Sequence, residues 1–393
     1  MLIHSAVDND IHPPRFGGAQ RSFGLARGLA RRHEVRVLCV TPNRAPGPER
    51  ERVDGVELVR RRSWHTSVAW RLERARLAPL FTAASGHRAN AKRYAAALGA
   101  GADVFAADLN LGGMLGVSNA PLRLHTSHNV EYDRFRRSAP PVLARSRWAE
   151  RLRRLEQRAV DAAHVTVVCT EEDAARMREL YGLTAARLEV VPNGYDETRL
   201  APPSAGERRR ARQSLGYGES DYVAVFVGAD WGPNREALRL LTGRVLPSLA
   251  ADGVRLLVVG SVGRAMRGRR EPWLRVTGEA PDLAPLLHAA DCGLNPVLTG
   301  GGSNVKVPGY LACGLAVLST PFGIRGYAPL EPYCTVTGPD GFADALRARP
   351  RGFASRGEAP PPALGEFAWG RLGERLGERC EAHLASRGAK GAA

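Results

Sequence analysis

The sequence predicts an α/β protein built from two doubly wound, Rossmann-like domains that face each other across a cleft. Short apolar runs that fit buried parallel strands alternate with helix-length segments along nearly the whole chain. The alternation stops once, at the polar and Pro-rich stretch ETRLAPPSAGERRR, and then starts again. A chain of 393 residues is long enough for two domains of ordinary size. We therefore predict an N-terminal domain (1–198), a C-terminal domain (199–365) and a final helix and tail (366–393) that crosses back to the first domain.

The first half reads as a series of βα units. Its β-branched and apolar runs predict strands at 3–7, 34–40, 55–61, 103–107, 122–126, 164–170 and 187–196. Helical periodicity predicts helices at 19–31, within 64–98, at 146–163 and after Thr170, which forms nearly a capping box with Asp173. The region 64–98 mixes Trp, Leu and Arg, so it fits either helices packed on the sheet, which we favour, or a membrane-surface element.

The first βα turn carries two adjacent glycines, Gly17 and Gly18. The pattern is not the dinucleotide fingerprint GxGxxG, and Thr41 stands where an acidic residue would end the second strand. A nicotinamide cofactor is therefore not expected. Two glycines that open a helix still permit an anionic ligand to approach the backbone closely.

The second half repeats the alternation. Strands are predicted at 222–230, 254–261, 273–277, 292–297 and 315–320, and helices at 234–251, 283–290, 305–313, 342–347 and 366–385. A Pro-rich spacer at 350–362 precedes the last helix. This arrangement predicts a second parallel sheet covered by helices.

The stretch 294–321 predicts an anion site. A triple-glycine loop (300–302) leads into a helix that Ser303 or Asn304 caps, and unpaired N–H groups converge at such a helix start. Lys306 lies in the first turn, where a cation is normally disfavoured unless something negative binds. The chain has only three lysines, at 92, 306 and 390, so a compact ammonium is retained here although Arg is used nearly everywhere else. The alternative is an ordinary βα turn with a solvated lysine.

A second group of polar residues follows the strand at 122–126. His125, His128 and Glu131 lie at its carboxyl end, where ligands of open α/β sheets bind. His128 is either structural or a catalytic or sugar-orienting group. A metal site is not expected, because no third ligand stands at a suitable spacing.

Composition excludes several classes of protein. No run of eighteen apolar residues predicts a membrane-spanning helix, and the start lacks the pattern of a signal peptide. Six scattered cysteines without a CxxC motif indicate reduced thiols in a cytoplasmic protein. The net charge of +16 could indicate a nucleic-acid partner, but no recognition motif accompanies it, so none is expected.

Five segments resemble, in this order, the retaining glycosyltransferases of family 4, which have the GT-B fold. They are HNVE (128–131), VPNGYD (191–196), VGADWGPNREAL (227–238), TGEAPDL (277–283) and GGGSNVKVPGYLACGLAVLST (300–320). The resemblance covers nearly the whole chain. It implies transfer of a sugar from a nucleotide-sugar, bound mainly by the C-terminal domain, to a small-molecule or glycan alcohol, bound mainly by the N-terminal domain, in natural-product or glycan biosynthesis.

The resemblance also assigns residues. It implies that His128 acts catalytically beside the transferred sugar, and that the donor is bound by Gly17, Gly18, Gly228, Asn234, Glu279, Gly301, Gly302, Ser303, Asn304 and Lys306. Lys306 with the N–H groups of Ser303 and Asn304 would hold the diphosphate, whose growing charge needs fixed positive partners. Neither a metal nor a cofactor other than the donor substrate is expected.

Two positions depart from the family pattern. Gly309 and Gly301 stand where the family usually has Glu, and Pro308 is expected to kink the helix interior. Three interpretations stay open: the donor is held by other groups such as Asn295 or Glu279, the donor is unusual, or the chemistry is altered. A nucleotide-sugar epimerase, a pseudo-glycosyltransferase and a non-catalytic nucleotide-sugar-binding homologue are the alternatives that stay open.

Overall fold

The computed structural model describes residues 1–43, 47–75, 77–139 and 147–391, and its contacts divide the chain into two units. Unit 1 consists of Met1–Pro192 and Trp369–Ala393, and unit 2 of Asn193–Ala368. The sequence had suggested boundaries at 198/199 and 365/366, a few residues from those observed. Each unit contains a sheet of its own with helices on both faces, as the alternating pattern predicted.

Unit 1 is built on an eight-stranded sheet in the order β3-β4-β2-β1-β5-β6-β7-β8. All neighbouring pairs are parallel except β3 and β4. The strands are β1 (Leu2–Val7), β2 (Glu34–Pro42), β3 (Arg50–Val53), β4 (Val56–Ser63), β5 (Val104–Asp108), β6 (Leu122–Thr126), β7 (Val165–Val168) and β8 (Leu188–Val190).

The helices of unit 1 cover both faces of this sheet. They are α1 (Gly17–Leu29), α2 (Trp64–Arg74), α3 (Ala83–Ala89), α4 (Ala91–Leu98), α5 (Glu131–Ser138), α6 (Arg147–Ala162), α7 (Glu171–Tyr181) and α14 (Trp369–Gly391). Alternate strand residues pack on opposite sides: Ile3 and Val37 lie in the cluster under α1 and α14, whereas Ala6 and Leu38 lie in the cluster with α4. The sheet is therefore buried on both faces, as a parallel sheet must be.

Unit 2 has a six-stranded, wholly parallel sheet in the order β11-β10-β9-β12-β13-β14. Its strands are β9 (Tyr222–Val227), β10 (Val254–Val259), β11 (Leu274–Gly278), β12 (Cys292–Asn295), β13 (Ala316–Ser319) and β14 (Thr335–Val336). Its helices are α8 (Ala205–Ser214), α9 (Gly232–Leu240), α10 (Ala284–His288), α11 (Lys306–Ala312), α12 (Phe342–Arg347) and α13 (Phe353–Arg356).

Helix α14 packs against α1, and glycines make this crossing very close. A Cβ atom on Gly28 would lie 2.4 Å from the carbonyl oxygen of Trp369, and one on Gly24 would lie 2.4 Å from the Trp369 ring. A Cβ on Gly373 would in turn meet the backbone of Gly28 at 2.5 Å. Only hydrogen fits at these positions, so the residue type itself brings the last helix onto unit 1.

Three local expectations need correction. The hairpin strand β3 was not predicted, nor was the short strand β14. Pro308 does not kink a helix interior, because α11 starts at Lys306 and Pro308 is its third residue. The first-turn N–H groups have no intrahelical acceptor, so a proline there costs no hydrogen bond.

Other expectations can be compared with the described residues. Asp173 N–H donates to Thr170 Oγ1 at 3.0 Å, which confirms Thr170 as the cap of α7. The described part of helix α6 is Arg147–Ala162, and the predicted first residue, Ser146, lies outside the described residues. In α2 only Thr66 and Ala69 are buried, so this part of the region 64–98 packs on the sheet less than expected.

The cysteines and the helices can be compared with what composition predicted. All six cysteines are free thiols, and all but the half-buried Cys334 are buried. Within the described ranges, none of the helices has both the length and the apolarity needed to cross a bilayer.

Candidate functional site

The carboxyl edge of the sheet in unit 2 contains the predicted anion site. Strand β9 lies between β10 and β12, so the direction of chain progression reverses there, and ligands of doubly wound sheets bind at this point. β9 and β12 pair only through Cys292↔Ala224 and Gly293↔Val225, and then separate. Gly228 follows β9, and the triple-glycine loop follows β12, so the fold brings two predicted donor-binding segments to the same edge.

Tyr310 fills the gap between the separating strands. Its side chain is buried, its hydroxyl accepts from Val227 N–H at 3.0 Å and lies 3.4 Å from the carbonyl oxygen of Leu294. A Cβ on Gly293 would collide with the Tyr310 ring at 2.2 Å. Burial raises the pKa of the Tyr310 phenol, which therefore stays a neutral hydrogen-bonding group. This phenol braces the two strand ends below the glycine loop.

Lys306 extends from the start of α11 towards the first turn of α9. Its Nζ atom donates to Asn234 Oδ1 at 3.1 Å and lies 5.6 Å from the centre of the Phe226 ring. Asn234 is held in turn, because its Nδ2 donates to the carbonyl oxygen of Ala229 at 2.9 Å. The two predicted donor-binding side chains, 72 residues apart in sequence, thus touch each other.

The ammonium of Lys306 lies without an anionic partner among the residues that the structure describes. Within the part of the chain that the structure describes, no carboxylate forms an ion pair with it. Although the residue as a whole is only partly buried, removal of the ammonium from water lowers its pKa to about 8. A desolvated cation without a counter-ion costs free energy, and a bound anion would offset that cost.

The loop beside Lys306 presents backbone donors. Among the described residues, no acceptor is hydrogen-bonded to the N–H groups of 301–304. The loop is nevertheless fixed, since Asn193 donates from its N–H to Ser303 Oγ at 3.2 Å and from Nδ2 to the Ser303 carbonyl at 2.7 Å. Gly302, at φ 63°, takes a left-handed conformation that favours glycine. Unpaired amides in or near a buried loop are the usual donors to phosphate oxygens.

Gly228 leaves room for the Lys306–Asn234 contact. A Cβ there would lie 3.1 Å from the Asn234 side chain and 3.3 Å from Val262. A side chain at this position would therefore press on Asn234. Gly228 therefore supports the Lys306–Asn234 contact through the absence of a side chain.

Glu279 and Asn295 are placed differently. Glu279 follows the edge strand β11, two strands away from β9, and forms an ion pair with Arg264 at 2.8 Å. Asn295 is fully buried, and its Nδ2 donates to Ser319 Oγ and to the carbonyl of Gly323. The Nδ2 group of Asn295 therefore stabilises the loop after β13, whereas its buried Oδ1 has no hydrogen-bond partner among the described residues. The expectation that Asn295 helps to hold the donor stays a prediction.

Gly309 is buried in α11, and a Cβ there would lie 3.5 Å from Leu200, an ordinary contact distance. The position could therefore hold a small side chain without backbone rearrangement.

In unit 1, His128 follows β6 at the corresponding edge. Its Nε2 lies 3.4 Å from Asp108 Oδ2, and Thr126 Oγ1 donates to the other carboxylate oxygen, Oδ1, at 2.7 Å. The His128 side chain keeps 24 % of its surface exposed, whereas that of Asp108 keeps 8 %. A buried carboxylate that is itself anchored fixes the orientation of a partly accessible imidazole. Asp108 was not among the residues predicted from sequence, although an acidic residue that ends an apolar strand was a usable signal.

Gly17 and Gly18 open α1 next to this imidazole. They are the first two residues of the helix, and its N-cap, Phe16, provides no side-chain hydrogen bond. A Cβ on Gly18 would lie 3.1 Å from the Phe16 ring and 4.0 Å from His128 Nδ1. The predicted glycine pair and the predicted histidine are therefore neighbours.

The other residues of the His128 segment are structural. His125 is fully buried, and burial lowers its pKa, so it is a neutral core residue. Glu131 accepts from Asn129 and Arg134 at the start of α5. The N-terminus of α5 is capped by Glu156, a buried carboxylate that accepts from the N–H groups of Glu131 and Tyr132.

Two protein-family models match the chain. The model described as Glycosyltransferase Family 4 matches residues 16–199, and the one described as Glycosyl transferases group 1 matches residues 221–348. The first match contains Gly17, Gly18 and His128, and the second contains Asn234 and Lys306.

Curated relatives match part of the chain. D-inositol 3-phosphate glycosyltransferases from Mycobacterium bovis and Mycobacterium tuberculosis are each 29 % identical over 182 residues, which is 43 % of this chain. The matched segment spans 36 % of the length of these relatives.

Solved structures match nearly the whole chain. Sucrose-phosphate synthase from Thermosynechococcus elongatus has a TM-score of 0.67 at 18 % identity, with 99 % of this chain and 98 % of that one covered. The catalytic domain of starch synthase IV from Arabidopsis thaliana, bound to ADP and acarbose, has a TM-score of 0.68 at 12 % identity, with 98 % and 99 % covered. HepE from Anabaena in complex with UDP-glucose has a TM-score of 0.56 at 15 % identity, with 99 % of both chains covered. At these identities the likeness establishes the fold.

Proposed function

The chain belongs to glycosyltransferase family 4 and has the GT-B fold, and from this we propose that it transfers a sugar from a nucleotide-sugar donor to an alcohol acceptor with retention of the anomeric configuration. The donor binds at the switch point of unit 2. The acceptor binds to unit 1, at the edge of the sheet where His128 follows β6. The reaction fits a cytoplasmic biosynthetic enzyme, as the sequence suggests.

One observation carries the proposal: among the described residues, no carboxylate pairs with the ammonium of Lys306 and no acceptor pairs with the backbone N–H groups beside it. In glycosyl transfer the bond from the sugar to the diphosphate breaks, and negative charge grows on the departing diphosphate. Fixed donors that meet this growing charge stabilise the transition state more than the ground state. Lys306 and the amides of 301–304 fill this role, which a metal ion plays in other phosphate sites.

Asn234 and Gly228 complete the donor site in this proposal. Asn234 fixes the ammonium through its Oδ1, so that the cation is in place before the donor arrives. The N-terminus of α9, which carries Asn234 in its first turn, adds the positive end of a helix dipole. Glu279 lies two strands away, about 10 Å at ordinary strand spacing, and this distance suits the nucleoside end of the donor.

His128 is proposed as the group beside the transferred sugar, with Asp108 as its positioning residue. A neutral imidazole that donates Nε2–H to its carboxylate partner leaves Nδ1 to accept a hydrogen bond from a sugar hydroxyl. Gly18 leaves space next to Nδ1 for a ligand atom. We assign no covalent intermediate to His128.

The comparisons support the chemical class of the substrates. The mycobacterial relatives are named for a phosphorylated cyclitol, and the Anabaena structure contains UDP-glucose. We therefore propose a nucleoside-diphosphate sugar as the donor.

A titration tests the donor site. UDP, GDP, ADP and dTDP are titrated calorimetrically into the protein, and the matching glucose donors are then followed by NMR without an acceptor. Binding of one nucleotide, together with slow release of a sugar that first keeps its anomeric configuration, supports a retaining transferase. Absence of binding to all four nucleotides would overturn the proposal.

A non-catalytic nucleotide-sugar-binding homologue is the second candidate. Gly301 and Gly309 favour it, because they stand where the resemblance implies carboxylates. Such a protein would bind a nucleotide-sugar and leave it intact over days, even at high protein concentration, so the same NMR time course separates the two functions.

A further inference from the structure

Unit 1 contains a cavity of about 1060 Å³ that the donor site does not use. It lies between α3, the 3-10 segment Leu109–Val117 and α6. Its floor is apolar, with Ala84, Gly112, Gly113, Leu155 and Ala159. We name it the arginine-rimmed groove, because its rim carries Arg88, Arg151, Arg154 and Arg158.

The charges on the rim do not balance. Arg154 is paired with Glu150 at 3.1 Å, and the one acidic lining residue, Asp161, accepts from Gln157 at 2.8 Å. For Arg88, Arg151 and Arg158, the described part of the chain provides no carboxylate partner. The groove therefore combines an apolar floor with uncompensated guanidinium groups, and such groups favour phosphate or carboxylate.

One end of the groove is an aromatic wall. Phe81 contacts Trp148 edge-on, with ring centroids 6.0 Å apart, and it also contacts Phe135 at 5.8 Å. The Arg151 guanidinium lies over the Trp148 ring, 4.9 Å from its centre. These contacts hold the wall in place for an apolar ligand.

The groove is connected to the His128 site through one segment. Asp108, which holds His128, directly precedes the 3-10 segment that contributes Gly112, Gly113 and Gly116 to the groove. A 3-10 helix rises about 2 Å per residue, so these glycines lie about 8–16 Å from Asp108 along the segment. One elongated molecule could therefore reach both places.

We propose that the arginine-rimmed groove binds the distal part of the acceptor, an apolar chain or ring system that carries a phosphate or carboxylate, while the acceptor hydroxyl lies at His128. This assignment rests on the proposed function. The occupant is a single small molecule, because the groove is concave and has the volume of an ordinary ligand site, about 300–1,000 Å³. A flat bilayer surface would not enter it.

Decyl phosphate, kept below its micelle concentration, is the probe, and decanol is its neutral match. We expect calorimetry to detect decyl phosphate binding on the order of tenfold tighter than decanol binding, as for an added charged hydrogen bond. Replacement of both Arg88 and Arg158 by Ala should remove this preference. The matched double variant Arg52→Ala, Arg178→Ala loses the same charge from exposed positions outside the groove. It should retain the preference for decyl phosphate over decanol.

A second variant fills the space. A Cβ on Gly116 meets no atom within 4 Å, so Gly116→Leu places a side chain in the groove without a clash. It should reduce decyl phosphate affinity on the order of tenfold or more, since the bound chain would lose its contacts. Gly243→Leu, at an equally open and exposed glycine of unit 2, should leave the affinity for decyl phosphate unchanged.

Three results would overturn the proposal: equal affinity for decyl phosphate and decanol, equal losses in the two Arg double variants, or binding only to anionic vesicles and not to the monomeric probe. The probe assay does not depend on sugar transfer. Groove binding without any nucleotide binding would therefore refute the proposed function and leave a ligand site, whereas nucleotide binding without groove binding would refute only this inference.

Discussion

The ammonium of Lys306 and the amide oxygen of Asn234 are joined by a 3.1 Å hydrogen bond across the switch point of unit 2. This contact connects the segment after β12 with the segment after β9. It orients a cation that has no carboxylate partner in the described chain towards a loop of unpaired N–H groups.

Replacement of Lys306 by Met should weaken nucleoside diphosphate binding. A lost hydrogen bond to a charged group is worth about 2 kcal/mol, which corresponds to roughly thirtyfold in the dissociation constant. Calorimetric titration with the nucleotide that the wild-type protein prefers measures the change. Lys92→Met, at an exposed lysine of unit 1, is the matched control. Unchanged affinity in Lys306→Met would remove Lys306 from the site.

Nucleoside diphosphate affinity should fall as the pH rises above 8. The pKa of free Lys306 is lowered to about 8, so at pH 7 the side chain is a cation, and above pH 8 it becomes neutral and loses its attraction for the diphosphate. The loss should approach about tenfold per pH unit, as for one proton, while a phosphate with a pKa near 6 no longer titrates in this range. Titrations at pH 7, 8 and 9 measure it. The slope should vanish in Lys306→Met, and a slope that persists there would point to another group.

His128→Ala should reduce turnover far more than it reduces nucleotide affinity. The imidazole is proposed to contact the sugar and not the diphosphate, and one positioned polar group of this kind contributes about 10²-fold. Steady-state kinetics give kcat, and calorimetry gives the nucleotide affinity. Asp108→Asn should lower kcat by a smaller factor, because it disturbs only the orientation of His128. If His128→Ala turns over like the wild type, the residue is structural.

Gly28→Ala should destabilise unit 1. The new Cβ would lie 2.4 Å from the backbone oxygen of Trp369, and neither helix backbone can yield cheaply. Overpacking of this kind costs about 1–3 kcal/mol. Gly206→Ala is the matched change in α8, where the Cβ would meet only the tip of Arg210 at 3.4 Å. It should leave stability unchanged or raise it by about 0.5–1 kcal/mol. Urea unfolding followed by circular dichroism compares the two, and equal effects would contradict the close crossing of α1 and α14.

Glu156 should make stability depend on pH. Burial raises the pKa of its carboxyl to about 7, well above that of the unfolded chain, so the folded protein holds this proton more tightly. The stabilisation that this proton gives to the folded state is fully present below the pKa of the unfolded chain. It is lost as the pH rises to about 7, and the free energy of unfolding then falls by about 3 kcal/mol at most. Glu156→Gln removes the titration. The free energy of unfolding of this variant, relative to the wild type, should therefore rise between pH 5 and 7. A difference that does not vary with pH would show that Glu156 is ionised throughout.

The sequence predicted the alternating architecture because each buried parallel strand is a short apolar run. Each such run can be recognised by itself, without knowledge of its neighbours in the sheet. Strand β3 was missed because Arg50–Val53 is mostly charged and forms an exposed edge. The turn at Asp54 and Gly55, both at positive φ, was the signal that could have revealed the hairpin. The triple-glycine loop and Lys306 were found from local pattern alone.

The partners of these residues could not be predicted from local sequence pattern. Asn234 touches Lys306 and Asp108 touches His128 only because strands distant in sequence are neighbours in the sheets. The same holds for Asn295, whose polar side chain suggested a ligand contact and whose Nδ2 donates to the loop after β13. The arginine-rimmed groove is formed by three separate segments, so it could not be predicted from any single stretch of sequence.

The docking of α14 onto α1 has a consequence for how the chain matures on the ribosome. The face of α1 that carries Gly24 and Gly28 receives its cover only after the 176 residues of unit 2 have been synthesised. At about 5–20 residues per second, that delay is roughly 10–35 seconds. During this interval a nascent unit 1 exposes an apolar seam, which makes it a client for chaperones, while unit 2, continuous in sequence, can close at once.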